Sequence, residues 1–205
     1  MSTATVEALA TLPTVSITPF VRALKSVRPF ACTESTLPTL AGIHVKAEGE
    51  TLALTATDRY TAGIYRLHYA GPAFATFLPS RSIKALIDVL APYTKSRAKY
   101  DITLTLGNST LTVLQWGSPI LTVETQDSQG FPKIESLIPE IGEPSEALSF
   151  NPAYLARFAK VETTSSESMR LTFNGAKATR VDIGRDFTGL IMPIRERDSR
   201  PEIER

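Results

Sequence analysis

One unit recurs three times along this chain, and the repetition constrains the fold more than any single residue does. Residues 16–27 read Ser-Ile-Thr-Pro-Phe-Val-Arg-Ala-Leu-Lys-Ser-Val. Residues 78–90 read Leu-Pro-Ser-Arg-Ser-Ile-Lys-Ala-Leu-Ile-Asp-Val-Leu, and 149–161 read Ser-Phe-Asn-Pro-Ala-Tyr-Leu-Ala-Arg-Phe-Ala-Lys-Val. Each is a short extended lead-in, an N-cap candidate (Thr18, Ser80, Asn151) and about ten residues of helical periodicity. Pro19 and Pro152 stand at the first helical position of their units, where the missing N–H costs nothing. Alternating, β-branched segments follow each helix. A period of roughly 60–70 residues predicts an α+β architecture tiled from helix-plus-antiparallel-strands units, three per chain.

Composition narrows the class. A chain of 205 residues can bury one good core, or one full domain and part of another. The net charge of +1 argues neither for nor against nucleic acid, so the placement of charge has to decide. The single cysteine, Cys32, excludes a disulfide framework within the chain and suits a reducing cytoplasm. It reads as a small semi-buried hydrophobe. No apolar run approaches the ~20 residues of a membrane span, and the first dozen residues lack the basic stretch of a signal peptide. The expectation is a cytoplasmic protein without membrane contact.

Helix 1 is followed by two strands within 41–58 that meet at Glu48-Gly49-Glu50, then by a third strand over 61–68. The second unit gives a helix over 81–90 and strands over 100–106, 111–116 and 120–125. Residues 126–145 hold Gly130, Pro132, Pro139, Gly142 and Pro144 and read as a linker. The third unit gives a helix over 152–161 and strands over 169–173, 179–183 and 189–194. The division is a loose arm (1–13), a complete two-unit domain (14–128), a linker (129–146), a one-unit half domain (147–195) and a mobile charged tail (196–205).

Three segments carry a resemblance: Leu40-Ala-Gly-Ile-His-Val-Lys-Ala-Glu-Gly-Glu-Thr-Leu-Ala-Leu-Thr-Ala-Thr-Asp58, Gly130-Phe-Pro-Lys-Ile-Glu-Ser-Leu-Ile-Pro139 and Gly189-Leu-Ile-Met-Pro-Ile-Arg195. In this order they resemble the start of the middle domain, its close, and the carboxyl terminus of the bacterial DNA polymerase III β subunit, the sliding clamp. The resemblance spans about residues 14 to 195 and implies the DNA clamp (processivity) fold. It covers one complete clamp domain and half of another, so a single chain is expected not to encircle DNA alone.

A clamp that slides needs positive charge toward the duplex and no reading of base edges. On a helical wheel, helix 1 buries Phe20, Val21, Leu24 and Val27 and turns Arg22 outward, with Lys25 on the flank. Helix 2 buries Ile83, Leu86, Ile87 and Leu90 and presents Arg81, with Lys84 and Asp88 beside it. Helix 3 buries Leu155, Phe158 and Val161 and presents Lys160, with Arg157 flanking. An ordinary solvated helix face also uses Lys and Arg. The same bias in three helices is what singles out Arg22, Lys25, Arg81, Lys84, Arg157 and Lys160 as DNA-facing candidates. Lys95-Ser-Arg97-Ala-Lys99 reads as a polar connection more than a phosphate contact.

The resemblance also implies a pocket into which clamp partners insert a short peptide. Matched position by position, it would use Leu40, Thr57, Tyr60, Pro139, Leu190, Met192, Pro193 and Ile194. Adaptable Met and rigid Pro suit a concave apolar floor for a Leu or Phe anchor. Thr61 and Ala62 stand where the family usually has Arg then Leu, which implies a wider pocket or one that prefers a bulkier peptide. Nothing points to catalysis: His44 and His68 lie in strand regions without metal-ligand or triad spacing. Asp58 reads as a carboxylate capping turn amides, and Trp116 as a packing residue.

The expected function is a non-enzymatic, cofactor-free processivity factor. It would encircle duplex DNA without sequence preference, tether a polymerase or other clamp-binding protein, use a clamp loader if needed, and sit on the nucleoid. The alternative is a clamp-derived module outside any ring that binds clamp partners or another clamp. The unit count bears on assembly: three units divide a twelve-unit ring into four chains. The orphan third unit would be covered by the same unit of a second chain, and the first units of two such dimers would meet edge to edge. That gives a dihedral homotetramer, with a dimer as the simpler form.

Overall fold

The computed structural model describes residues 13–34, 36–95, 100–139, 148–164 and 168–194. The expected arm apart from Pro13, the charged tail, and positions 96–99 of the basic loop lie outside the described residues. A helix followed by three antiparallel strands occurs at three places. Strand β1 (Thr14–Ser16) runs into α1 (Ile17–Val27), then β2 (Gly42–Glu48), β3 (Thr51–Thr57) and β4 (Thr61–His68). Strand β5 (Phe74–Pro79) runs into α2 (Ser80–Leu90), then β6 (Asp101–Gly107), β7 (Thr110–Gln115) and β8 (Ser118–Glu124). The last stretch is α3 (Pro152–Phe158), β9 (Met169–Thr172), β10 (Thr179–Ile183) and β11 (Phe187–Ile191).

The helix starts correct two expectations. Thr18 is not a cap: α1 begins at Ile17, with Ser16 as N-cap and no side-chain hydrogen bond. Ser80 is already the first residue of α2. Both helices are capped by the sheet instead, because the Ile17 amide donates to the Tyr100 carbonyl at 2.9 Å and the Ser80 amide to the Ala41 carbonyl at 3.1 Å. A strand that satisfies the first orphan amide removes the need for a side-chain cap. At α3 the expectation holds: Asn151 Oδ1 accepts from the Ala153 amide at 2.9 Å, with Pro152 at the first turn.

The strands form two antiparallel sheets, one ordered β1-β6-β7-β8 and the other β5-β2-β3-β4-β11-β10-β9. The lead-in strands are exchanged: β1 precedes α1 but pairs with β6, and β5 precedes α2 but pairs with β2. Helices α1 and α2 lie beside each other, α1 against β3 and β4, α2 against β8, β2 and β5. Phe20, Val21, Leu24 and Val27 are buried as the wheel predicts, as are Ile83, Leu86 and Leu90. Ile87 is half-buried at the core's margin.

The sequence division at 129–146 is no break in the sheet. Strand β11 pairs with β4 from Phe187 opposite Tyr65 to Ile191 opposite Thr61, so the last stretch extends the first unit's sheet. Gly189 sits opposite Gly63 in this ladder. A Cβ at Gly63 would come within 2.7 Å of the Phe30 ring, and one at Gly189 within 2.5 Å of the Phe158 ring. The paired glycines therefore admit an aromatic trio. Phe30 meets Phe158 edge-on at 4.9 Å and Phe187 at 5.6 Å, joining the segment after α1, helix α3 and β11. Trp116 is not a packing residue: it is 83% exposed at the β7–β8 turn with φ +50°, meeting Tyr100 edge-on at 5.9 Å.

Candidate functional site

The six basic candidates fall into different environments. Lys25 on α1 is half-buried and Lys160 just after α3 is exposed; neither has an ion-pair partner among the described residues. Arg22 is half-buried beside Tyr65. Burial and the Asp186 carboxylate push the Tyr65 hydroxyl's pKa up, and Arg22 stands close enough to oppose that rise. On α2, Arg81 pairs with Glu124 and Lys84 with Asp88 one turn on, all of them exposed. Such surface pairs contribute about 0–1 kcal/mol and can be exchanged for phosphate.

Arg157 is different. Its side chain is 24% exposed, its Nη1 donates to Asp58 Oδ2 at 2.5 Å and to Thr61 Oγ1 at 2.6 Å, and its guanidinium lies over the Tyr154 ring at 4.9 Å. The flanking position on the wheel does not face open solvent, because the β3–β4 corner packs against it. Asp58 anchors that corner as expected: Oδ1 accepts from the Tyr60 amide at 3.0 Å, the Thr61 amide at 2.7 Å and the Thr61 hydroxyl at 3.0 Å. Arg157 is thus committed to holding α3 against the corner and is set aside as a DNA contact.

Of the pocket candidates, Thr57, Tyr60, Leu190 and Met192 lie at the junction of β4 and β11. The Met192 amide donates to the Tyr60 carbonyl at 2.9 Å, and the Tyr60 ring stacks on Tyr154 with centroids 5.7 Å apart. Tyr60, Met192 and Ile194 are exposed, and Pro139 and Pro193 are half-buried. Leu190 is buried with Ala62, Ile64 and Ile134 in a small cluster that Phe131 and Ile138 flank, so it forms floor rather than rim. Thr57 and Leu40 are also buried, and the Thr57 hydroxyl is spent on the Thr61 carbonyl at 2.8 Å. Cys32 is buried, with its amide on the Leu40 carbonyl.

Sequence reasoning missed a groove of about 430 Å³ on the outer face of β2 and β3, lined by His44, Lys46, Thr55, Phe131 and Glu135. His44 stacks on Phe131 at 4.9 Å, and burial, helped by Lys46, holds its imidazole below its ordinary pKa of 6.5. His44 alternates with the buried Ile43 and Val45 along β2 and so points away from the core. The segment that covers it, around Phe131, arrives from far along the sequence, with no local signal.

The fold defined by these two sheets and paired helices is that of the DNA sliding clamps. It superposes on the DNA polymerase sliding clamp from Bacillus subtilis with a TM-score of 0.75 at 14% identity, covering 96% of this chain and 67% of that one. The DNA polymerase III β subunit from Thermotoga maritima gives 0.75 at 13% identity, covering 94% and 68%. In sequence the chain is similar to the beta sliding clamp of Micrococcus luteus, 29% identical over 170 residues. It is 31% identical over 110 residues to that of Synechococcus elongatus. No protein-family profile matches. The matched stretch is 81% of this chain, and the chain spans about half, 53%, of the length of the M. luteus protein.

Proposed function

We propose that this chain is a non-catalytic sliding clamp whose copies close a ring around duplex DNA and hold a polymerase or repair protein there. The carrying observation is the clamp fold over nearly the whole chain, with α1 and α2 side by side and bearing Arg22, Lys25, Arg81 and Lys84. These four and Lys160 contact the phosphate backbone, with no base reading. Partners insert a peptide with two or three apolar anchors at Tyr60, Met192 and Ile194. Its place of work is the nucleoid in the cytoplasm, reached with or without a loader.

The test is retention on nicked circular DNA, with release when the circle is linearised. Reversing Arg22, Lys25, Lys84 and Lys160 to Glu together abolishes retention while the circular dichroism spectrum is unchanged; unaltered retention refutes the reading. One observation favours the second reading, a partner-binding module outside any ring: Arg81, Lys84 and Arg157 each already hold a carboxylate. That reading predicts peptide binding with no topological retention on DNA.

A further inference from the structure

The pairing of the lead-in segments obeys a rule that the chain satisfies twice and leaves half-finished a third time. Two residues before each helix N-cap, the lead-in bridges to the residue just beyond, or a little past, the last strand of its own repeat. Thr14 bridges Ala70 after β4, Phe77 bridges Gln126 after β8, and Ser149 bridges Ile194 after β11. On its other edge, the lead-in pairs with the first strand after a different helix. Ser16 lies opposite Asp101 at the start of β6, and Pro79 lies opposite Gly42 at the start of β2. Thus β2 and β6 each have their outer edge covered by an exchanged lead-in.

Strand β9 is the counterpart of β2 and β6, the first strand after α3. Among the described residues it ends its sheet, paired with β10 alone. Its surroundings are correspondingly under-buried. Seven residues of α1 and four of α2 are buried, against Phe158 alone in α3. Met169 is 44% exposed and Phe173 is 38% exposed, and Phe150, Tyr154 and Leu155 are half-buried at the edge of the core. An unpaired edge flanked by apolar side chains is a docking surface for another strand.

We infer that the outer edge of β9 accepts residues 148–150 of a second copy of this chain, and that the exchange is mutual across a twofold axis. Among the described residues no third lead-in is left over for it, because β1 and β5 are both already paired. The second copy carries one with the matching bridge at Ser149. An isologous contact of this kind satisfies both copies at once. The register follows from burial. The residue before each N-cap, Val15 or Leu78, is buried opposite a buried residue of the partner strand, Ile102 or Ile43. Phe150 therefore lies opposite Met169, and Ser149 opposite Arg170 on the solvent side; a slip of one residue would turn Phe150 out to water. Helix α3 then meets its symmetry mate as α1 meets α2. The inference rests on the pairing rule rather than on the clamp reading, so it stands whether or not the chain encircles DNA.

The experiment uses the full chain. Light scattering after size exclusion gives the mass against the 22.3 kDa of one chain. Ser149→Cys and Arg170→Cys variants are then mixed, re-equilibrated and oxidised; the expected product is a covalent dimer containing one of each. Thr122→Cys on the open edge of β8 is the control for the other free edge. Met169→Glu places a charge at the centre of the contact and weakens self-association about tenfold or more. Because Met169 is exposed in the single chain, circular dichroism remains that of the wild type. A mass of one chain at tens of micromolar overturns the inference. So does an oligomer that cross-links through Thr122→Cys and not between Ser149→Cys and Arg170→Cys.

Discussion

The Asp58–Arg157 contact offers the sharpest test of how the last helix is held. Replacing Arg157 by Ala removes a charge-assisted hydrogen bond to Asp58, a second to the Thr61 hydroxyl, and the guanidinium over Tyr154. Two hydrogen bonds to this partly buried group, one charged, give a loss of about 2–4 kcal/mol. Asp58→Ala costs more, about 3–5 kcal/mol. It strips the acceptor from the Tyr60 and Thr61 amides and leaves the guanidinium without its carboxylate. The double variant should fall short of the sum by about 1.5–3 kcal/mol, since the ion pair can be lost once. Urea unfolding of the wild type, both single variants and the double variant yields the coupling directly. Additivity within about 0.5 kcal/mol would refute the anchoring role. If Arg157→Ala also weakened DNA retention with stability untouched, the helix-face reading of the sequence would stand after all.

Three further outcomes follow from the same geometry. Met192→Ala and Tyr60→Ala weaken an anchored peptide by about 1–3 kcal/mol in titration calorimetry, and binding that ignores both would place the pocket elsewhere; Leu190→Ala is a poor probe because the residue is buried. Because burial lowers the His44 pKa, the unfolded chain binds the proton more readily, so stability is full above about pH 6.5 and falls as the pH drops through the folded-state value. His44→Gln should flatten that dependence in urea midpoints measured between pH 7.5 and 5.5, and an unchanged slope would count against it. Trp116→Ala changes stability by no more than about 0.5 kcal/mol, and the emission of this single tryptophan is that of an exposed indole, freely quenched by iodide.

The buried faces of α1 and α2, the hairpin at Gly49 and the bounds of β4 and β10 were legible because periodicity and turn chemistry are local properties of the chain. The ladder between β4 and β11 was not, since nothing in Thr61–His68 or Phe187–Ile191 specifies which of several apolar edges the other should choose. The same limit explains the misplaced caps at Thr18 and Ser80, where a distant carbonyl does the work of a side chain. It also explains Arg157, whose wheel position was right while its neighbour across the fold was invisible. The expected edge-to-edge meeting of first units fails for this reason: β4 is already covered by β11, and among the described residues the last-strand edge left open is that of β8.

That ladder also sets the order in which the chain can mature on the ribosome. Tyr65 in β4 reaches Asp186, 121 positions later, so the sheet that holds β4 waits for all of those positions to be read. At about 5–20 residues per second the wait is on the order of ten seconds. Throughout it, the β4 edge carrying Ala62 and Ile64 stands uncovered beside a nascent core. The sheet's late-arriving half serves as its own edge guard, and truncated products lacking residues 187–191 should be the ones that chaperones and proteases meet first.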